Sequence, residues 1–409
     1  MNNEELKKTI DNILKNNILP FWSRKMVDHT DGGYYGRIDK DGRVEKNAPK
    51  GVILNTRLLW SFSRAWSRLN TPELRECADR SFACIKEQFT DPDYGGLYWE
   101  TDHKGNPSNL RKQCYAQAFG IYALCEYYMI SKEEQAKEEA LKIFRLLEKY
   151  ARDNEYGGYL EALSREWQQM EDVRLSPVDQ NDKKSNNTHL HIMEAYTSLH
   201  RICRTEETEE ALEHVITVMM EKIYNPKIRS FTLFFTEDWE KRSETMSFGH
   251  DIEASWLIWE ALKVLDHSDL TEKYREDVVL IARNALDNYL EGELGTLGMR
   301  NEKKADGSVD RDKIWWVQNE GAIGFLNAYE LTGDEDYMTA ARNIWTFCDT
   351  YHVDHINGEW WGFAKDDGIS AKTNPYKADE WKCPYHNSRA CIESLERLER
   401  IEQARQGLQ

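Results

Sequence analysis

Histidine is the side chain whose ordinary pKa lies closest to neutrality, and two of the 11 in this chain stand at helix starts rather than in helix bodies. His250 lies in SFGHDIEASW and His386 in KCPYHNSRA, each leading into an apolar helical run. A cationic imidazole is disfavoured at the positive end of a helix dipole, so the neutral ring, a general base at pH 7, is the form expected there. Asp251 has a plainer reading as a first-turn cap suited to the dipole. His191 follows Asn187 by four in NTHLHIME and shares its helix face. His189, two residues from His191, points nearly the opposite way.

Polar residues crowd the other helix starts as well: Asn55 and Arg57, Tyr115 and Gln117, Asn187 and His191, His250 and Glu253, Trp316 and Glu320, and Trp381 with His386. One such Asn or Asp would be an N-cap, but a set at the head of every inner helix is a pocket. Trp315, Trp316, Trp360, Trp361 and Trp381 beside carboxylates and amides form a platform for the C–H faces of a sugar ring. Arg57, Asn187, Glu253 and Glu320 would then hold hydroxyls, which leaves the histidines for proton transfer and makes this a carbohydrate site. Metal binding by His189 and His191 is the competing reading. Only one of the two can face inward, so a catalytic metal is not expected.

Glycines reveal the elements that must gather these residues. DGGYYGRI, DPDYGGLYWE and DNEYGGYLEA are led by Gly32, Gly95 and Gly157, 63 and then 62 residues apart. Weaker relatives follow at 225–235, 291–300 and 357–364, which makes six units of one period. Between the marks, apolar spacings of three and four predict helices over 2–16, 53–68, 72–88, 110–131, 133–151, 187–203, 206–223, 249–267, 271–290, 315–333, 335–351 and 385–405. Units that cannot bury an apolar face alone do so in a closed ring, so the chain reads as all-α: an (α/α)6 barrel of twelve helices in a single domain, 1–409. Short β-hairpins or aromatic loops mark its mouth. The helices beginning near 53, 110, 187, 249, 315 and 385 are richer in apolar and small residues and form the inner ring, with their starts opening on one end.

Composition narrows the partners. A net charge of −18, from 72 acidic and 54 basic residues, repels phosphate backbones, so nucleic acid is not expected. No apolar run approaches the roughly 20 residues that span a bilayer, and MNNEELKKTIDNIL has no signal-peptide core. The eight cysteines form no C-x-x-C pair, which fits a reducing cytoplasm and not a zinc-thiolate site. A soluble cytoplasmic protein without a membrane partner is expected, monomeric or else a homodimer, acting on a small sugar.

GGYYGRI, KGVILNTRLLWSFS, CYAQAFGIYAL, NTHLHIMEAYT, FGHDIEASWL, WWVQNEGAIGFLNAY and WKCPYHNSRACIE, in this order, resemble the N-acylglucosamine 2-epimerase superfamily, most closely its cellobiose 2-epimerase members. The resemblance implies an (α/α)6 barrel that works on reducing-end sugars without an organic or metal cofactor. It implies that His250 and His386 are a two-sided acid/base pair and His191 a third pocket histidine. Arg57, Tyr115, Asn187, Glu253, Trp316, Glu320 and Trp381 become ligand contacts or supports, and Asp179 in SPVDQND a carboxylate that assists ring opening.

The chemistry follows from the substrate. The C2 hydrogen of a closed pyranose is not acidic, so the ring must open before a base can form an enediolate, and return of the proton to the other face inverts C2. The expected reaction is 2-epimerisation of the reducing-end glucose of a β-1,4-linked disaccharide, cellobiose to glucosyl-mannose or lactose to epilactose. The alternatives are mannose or N-acetylglucosamine epimerisation, aldose-ketose isomerisation, an inverting glycoside hydrolase using Glu253 and Glu320, and a non-catalytic sugar-binding protein.

Overall fold

The computed structural model describes residues 2–292, 297–364 and 374–407; residues 293–296, inside the fifth glycine mark, lie outside the described residues. Its α-helices are α1 (Asn3–Asn12), α2 (Val52–Leu69), α3 (Pro72–Cys84), α4 (Cys114–Ser131), α5 (Glu134–Tyr150), α6 (Asn186–Ile202), α7 (Glu206–Val218), α8 (Phe248–Leu265), α9 (Ser268–Asn288), α10 (Trp315–Thr332), α11 (Glu335–Phe347) and α12 (Tyr385–Gly407). Helix α2 packs on α4, α4 on α6, α6 on α8, α8 on α10, α10 on α12, and α12 back on α2. The even-numbered helices thus close an inner ring. Each odd-numbered helix from α3 to α11 lies against the inner helix before it, and α1 lies against α12. This is the (α/α)6 arrangement.

Patterning explains the two layers. Every residue of α4 from Cys114 to Tyr127 is buried, because neighbours surround it. Outer α5 buries only Ala136, Ala140, Ile143, Phe144 and Leu147, a single stripe at helical spacing. Two expected boundaries move. Helical backbone continues past 16 through π-helical Ile13–Ile18 and Phe21–Lys25, where Ile18, Phe21 and Trp22 are buried against the core. The helix expected from 110 starts only at Cys114, because Lys112–Gln113 is a strand paired with Ala162–Leu163. Among the described residues no helix is long and apolar enough to cross a membrane.

A second closure lies at the mouth. The strand ahead of each inner helix pairs antiparallel with one that follows the next hairpin: Lys50–Gly51 with Glu100–Thr101, Lys112–Gln113 with Ala162–Leu163, and Lys184–Ser185 with Phe234–Phe235. Met246–Ser247 with Glu302–Lys303 and Lys313–Ile314 with Phe363–Ala364 continue the series. The sixth pairing sets Tyr376–Ala378 against Ile38–Asp39 and joins the last unit to the first.

Buried ion pairs pin these links. Lys50 meets Asp28 at 3.1 Å, Lys112 meets Asp91 at 2.9 Å, Lys184 meets Asp153 at 2.6 Å and Lys377 meets Asp354 at 2.6 Å. Each aspartate lies four residues before a glycine with φ between 71° and 80°, namely Gly32, Gly95, Gly157 and Gly358. Against the burial that would raise them, the lysine and backbone N–H donors, with Arg165 foremost at Asp91, hold all four carboxyls below the ordinary carboxylate pKa. In the fifth unit Glu291 and Lys313 are 3.2 Å apart. The fourth unit has Asn225 and Met246 at these positions, so acid and lysine are lost together.

Candidate active site

Inner helices of one ring, started in register by the strand links, bring equivalent positions to equivalent depths. The second residues of five of them are Tyr115, Asn187, Gly249, Trp316 and His386, and the sixth residues of four are Arg57, His191, Glu253 and Glu320. A cavity of about 240 Å³ opens between these two levels. Arg57, Tyr115, Asn187, His191, His250, Glu253, Trp315, Trp316, Trp381 and His386 line it as expected, whereas Asp179, Glu320, Asn55, Gln117, Trp360 and Trp361 do not.

The fourth residue of an inner helix faces outward instead. Gln117 accepts the Leu97 N–H at 2.8 Å and returns a bond to its carbonyl at 2.9 Å, and Gln318 does the same for Met299 at 2.7 and 2.8 Å. His189 Nε2 accepts the Tyr159 N–H at 2.8 Å, and Asp251 accepts the Phe231 N–H at 2.9 Å and the Tyr289 hydroxyl at 2.8 Å. These side chains latch hairpins to the ring. Gln117 and Asn55 therefore leave the pocket, with Asn55 bonded to the Gly51 carbonyl at 2.8 Å. Asp251 is a latch rather than a cap, and the cap of α8 is Ser247.

Trp316 is the plate of the site. Its ring centroid lies 4.9 Å from that of His250 and 5.7 Å from that of His386. The plate fits because Gly249 has no side chain: a Cβ there would meet the indole at 2.4 Å. His250 Nδ1 lies 2.7 Å from Ser247 Oγ, and dense surroundings depress its pKa to about 3 even though part of the ring stays accessible. Burial, then Arg57 and Arg389, also hold His386 well below the ordinary imidazole value. Both rings are neutral at pH 7.

Arg57 is a buried cation that among the described residues reaches no carboxylate. It donates to the Tyr115 hydroxyl at 2.7 Å and lies 4.4 Å above the Phe119 ring. Tyr115 in turn presents its ring to His191 at 5.0 Å and to Trp381 at 6.1 Å.

Arg389, which the sequence reading missed, organises what lies behind the cavity. Its guanidinium donates to Glu253 at 2.6 Å, to Glu320 at 2.6 Å, and to Glu194. Glu320 is 0% exposed and 2.7 Å from His386 Nδ1, so it supports that histidine and holds no sugar hydroxyl. Glu194, also missed, lies 2.9 Å from His191 Nδ1 and accepts the Tyr385 hydroxyl at 2.6 Å. Both spacings were present in the sequence: Glu194 is three residues after His191, and Arg389 three after His386. Burial, with Glu320 nearby, pushes the Glu253 carboxyl up to about 7.

Two other expectations change. Asp179 closes its own loop by accepting the Ser176 N–H at 2.9 Å and hydroxyl at 2.7 Å, and does not reach the cavity. Trp360 is fully buried against Trp345 and His352 and offers no platform. Glu253, Glu320 and His386 bring donor atoms within 4.8 Å of one another, a metal-like grouping. Glu253 and Glu320 share the Arg389 guanidinium, and Glu320 also meets His386 Nδ1, so that guanidinium supplies the positive charge a metal would bring.

The profile of the N-acylglucosamine 2-epimerase (GlcNAc 2-epimerase) family matches residues 33–390. The chain belongs to this family. Among its relatives is the cellobiose 2-epimerase of Bacteroides fragilis, 39% identical over 96% of this chain and 99% of that protein. The cellobiose 2-epimerase of Dictyoglomus turgidum is 35% identical over 96% and 99%. The solved structure of cellobiose 2-epimerase from Bacillus thermoamylovorans superposes with a TM-score of 0.91 at 38% identity, covering 96% of this chain and all of that one. As a member of the N-acylglucosamine 2-epimerase family the chain is a carbohydrate epimerase, an isomerase. Its helical barrel is shared with those relatives.

Proposed function

We propose that the chain inverts C2 of the reducing-end glucose of β-1,4-linked disaccharides such as cellobiose and lactose. The observation that carries this reading is the pair of neutral imidazoles, His250 and His386, that line one cavity and both lie against the Trp316 ring. A proton can be taken from one face of an enediolate and returned to the other only if both faces meet a base.

Arg57, with no carboxylate to satisfy among the described residues, polarises the C1 aldehyde and stabilises the enediolate oxygen. His386, oriented by Glu320, removes the C2 proton from glucose, and His250, once it has taken up a proton from water, returns it after rotation about C2–C3; in the mannose-to-glucose direction the roles exchange. With Asp179 turned into its loop, ring opening falls to His191, backed by Glu194. Trp381 and the neighbouring Trp99, 6.0 Å apart, take the part expected of Trp360 and flank the second sugar ring. The whole chain, 1–409, acts as one cytoplasmic catalytic domain and as a monomer, with no nucleic acid, membrane or cofactor partner.

Inverting hydrolysis by Glu253 and Glu320 is disfavoured. The two carboxylates approach within 4.8 Å, whereas inverting enzymes hold theirs about 6.5–9.5 Å apart, and Glu320 does not line the cavity. A proton NMR time course in D2O with cellobiose, mannose and N-acetylmannosamine tests the proposal. Glucosyl-mannose carrying deuterium at C2 is expected from cellobiose, while inert cellobiose or released glucose would refute it.

A further inference from the structure

A second cavity, about 480 Å³ and so larger than the catalytic one, occupies the opposite end of the inner ring. Its lining comes from the later turns of inner helices, and its innermost level is the ninth residue of each of four: Trp60, Tyr122, Glu194 and Trp256. Further out it is walled by ionic groups such as Arg64 and Glu126, and at its rim Ser67 and Arg201 are exposed to solvent.

Glu194 belongs to both ends of the barrel. It lines the far cavity, while its Oε2 stands 2.9 Å from Nδ1 of His191, which lines the catalytic cavity. Tyr385 and Arg389 hold its other oxygen, Oε1, so Oε2 is the atom left to exchange a proton. One carboxyl group and one imidazole make up the path between the two cavities.

We propose that the far cavity is a solvent port, through which Glu194 exchanges protons between His191 and water while the sugar fills the mouth. The proposal rests on the epimerase reading. A two-base turnover leaves the abstracting histidine one proton richer and the donor one poorer, so each cycle needs one proton released and one delivered. For release, the abstracting histidine passes its proton through a hydroxyl or water in the cavity they share to Nε2 of His191, which gives its Nδ1 proton to Glu194 Oε2, and the carboxylic acid gives it to a water, which leaves as hydronium. Delivery runs the same steps backwards and restores the original tautomer of His191. No oxidant or co-reactant is involved.

The test blocks the port without touching the catalytic cavity. In D2O, NMR gives the deuterium at C2 of unconverted cellobiose for each product molecule formed, and this ratio reports exchange during the life of the complex. Ser67→Trp, at the rim on α2, should lower the ratio severalfold with KM unchanged, and Met129→Trp should do so from α4. In Glu194→Ala, formate entering from the far end should restore exchange, and adding Ser67→Trp should abolish that rescue. An unchanged ratio in both plugged variants, or rescue insensitive to the plug, would overturn the port. Wild-type chain that leaves cellobiose unconverted would overturn the epimerase reading, and the port with it, before any variant is compared.

Discussion

The two imidazoles beside Trp316 owe their chemistry to residues that the sugar does not touch. His250→Ala and His386→Ala should each lower epimerisation by about 10²–10⁴-fold with the fold retained, as read by NMR turnover and far-UV circular dichroism. Because the neutral ring is the base and burial depresses both pKa values, the active form persists as pH falls. On titration downward, kcat/KM should show no imidazole step at 6.5, the ordinary value. A step near neutrality should belong to Glu253 and vanish in Glu253→Gln. Arg389→Lys keeps the charge but loses the fork that ties three glutamates, and the resulting misplacement of His386 should cost about 10²-fold in kcat. Gly249→Ala would set a methyl into the Trp316 ring; a loss of about 1–3 kcal/mol in urea unfolding, with a fall in kcat, is expected.

At the scale of elements, the lysine–aspartate pins hold the strand links that bring helix starts into register. Lys50→Met alone strands the buried Asp28 carboxylate and should destabilise the protein by about 3–5 kcal/mol. The double variant Asp28→Asn/Lys50→Met copies the pairing already present in the fourth unit, Asn225 with Met246, and should recover most of that loss in urea titration. The pins were legible in the sequence: an acid stands four residues before Gly32, Gly95, Gly157 and Gly358, and Lys50, Lys112, Lys184 and Lys377 precede the inner helices of the same units. Helix positions were legible because apolar spacing is local. The latching role of Gln117 and Asp251 was not, because a polar fourth residue looks the same whether it faces a cavity or a hairpin. Arg389 and Glu194 read as ordinary helix charges until ring closure brings their partners, up to 195 residues away, within bonding distance.

For the whole molecule, the ring has no intrinsic starting unit. Lys7 and Glu402 form an ion pair at 2.6 Å, so the start of α1 and the last turns of α12 are neighbours. A circular permutant that joins the ends by a short Gly/Ser linker and opens between Lys132 and Glu133 should fold and keep wild-type turnover, because that cut lies in an exposed return between α4 and α5. An insoluble or inactive permutant would mean that the order of the units matters to the ring.

The pairing of Ile38–Asp39 with Tyr376–Ala378, together with α12 against α2, has a consequence for synthesis. The flank of α2 that α12 covers is translated before the units that separate it from its cover. Until α12 clears the ribosome, the first unit presents an apolar face with no partner, and shorter nascent chains are clients for chaperones rather than small folded barrels.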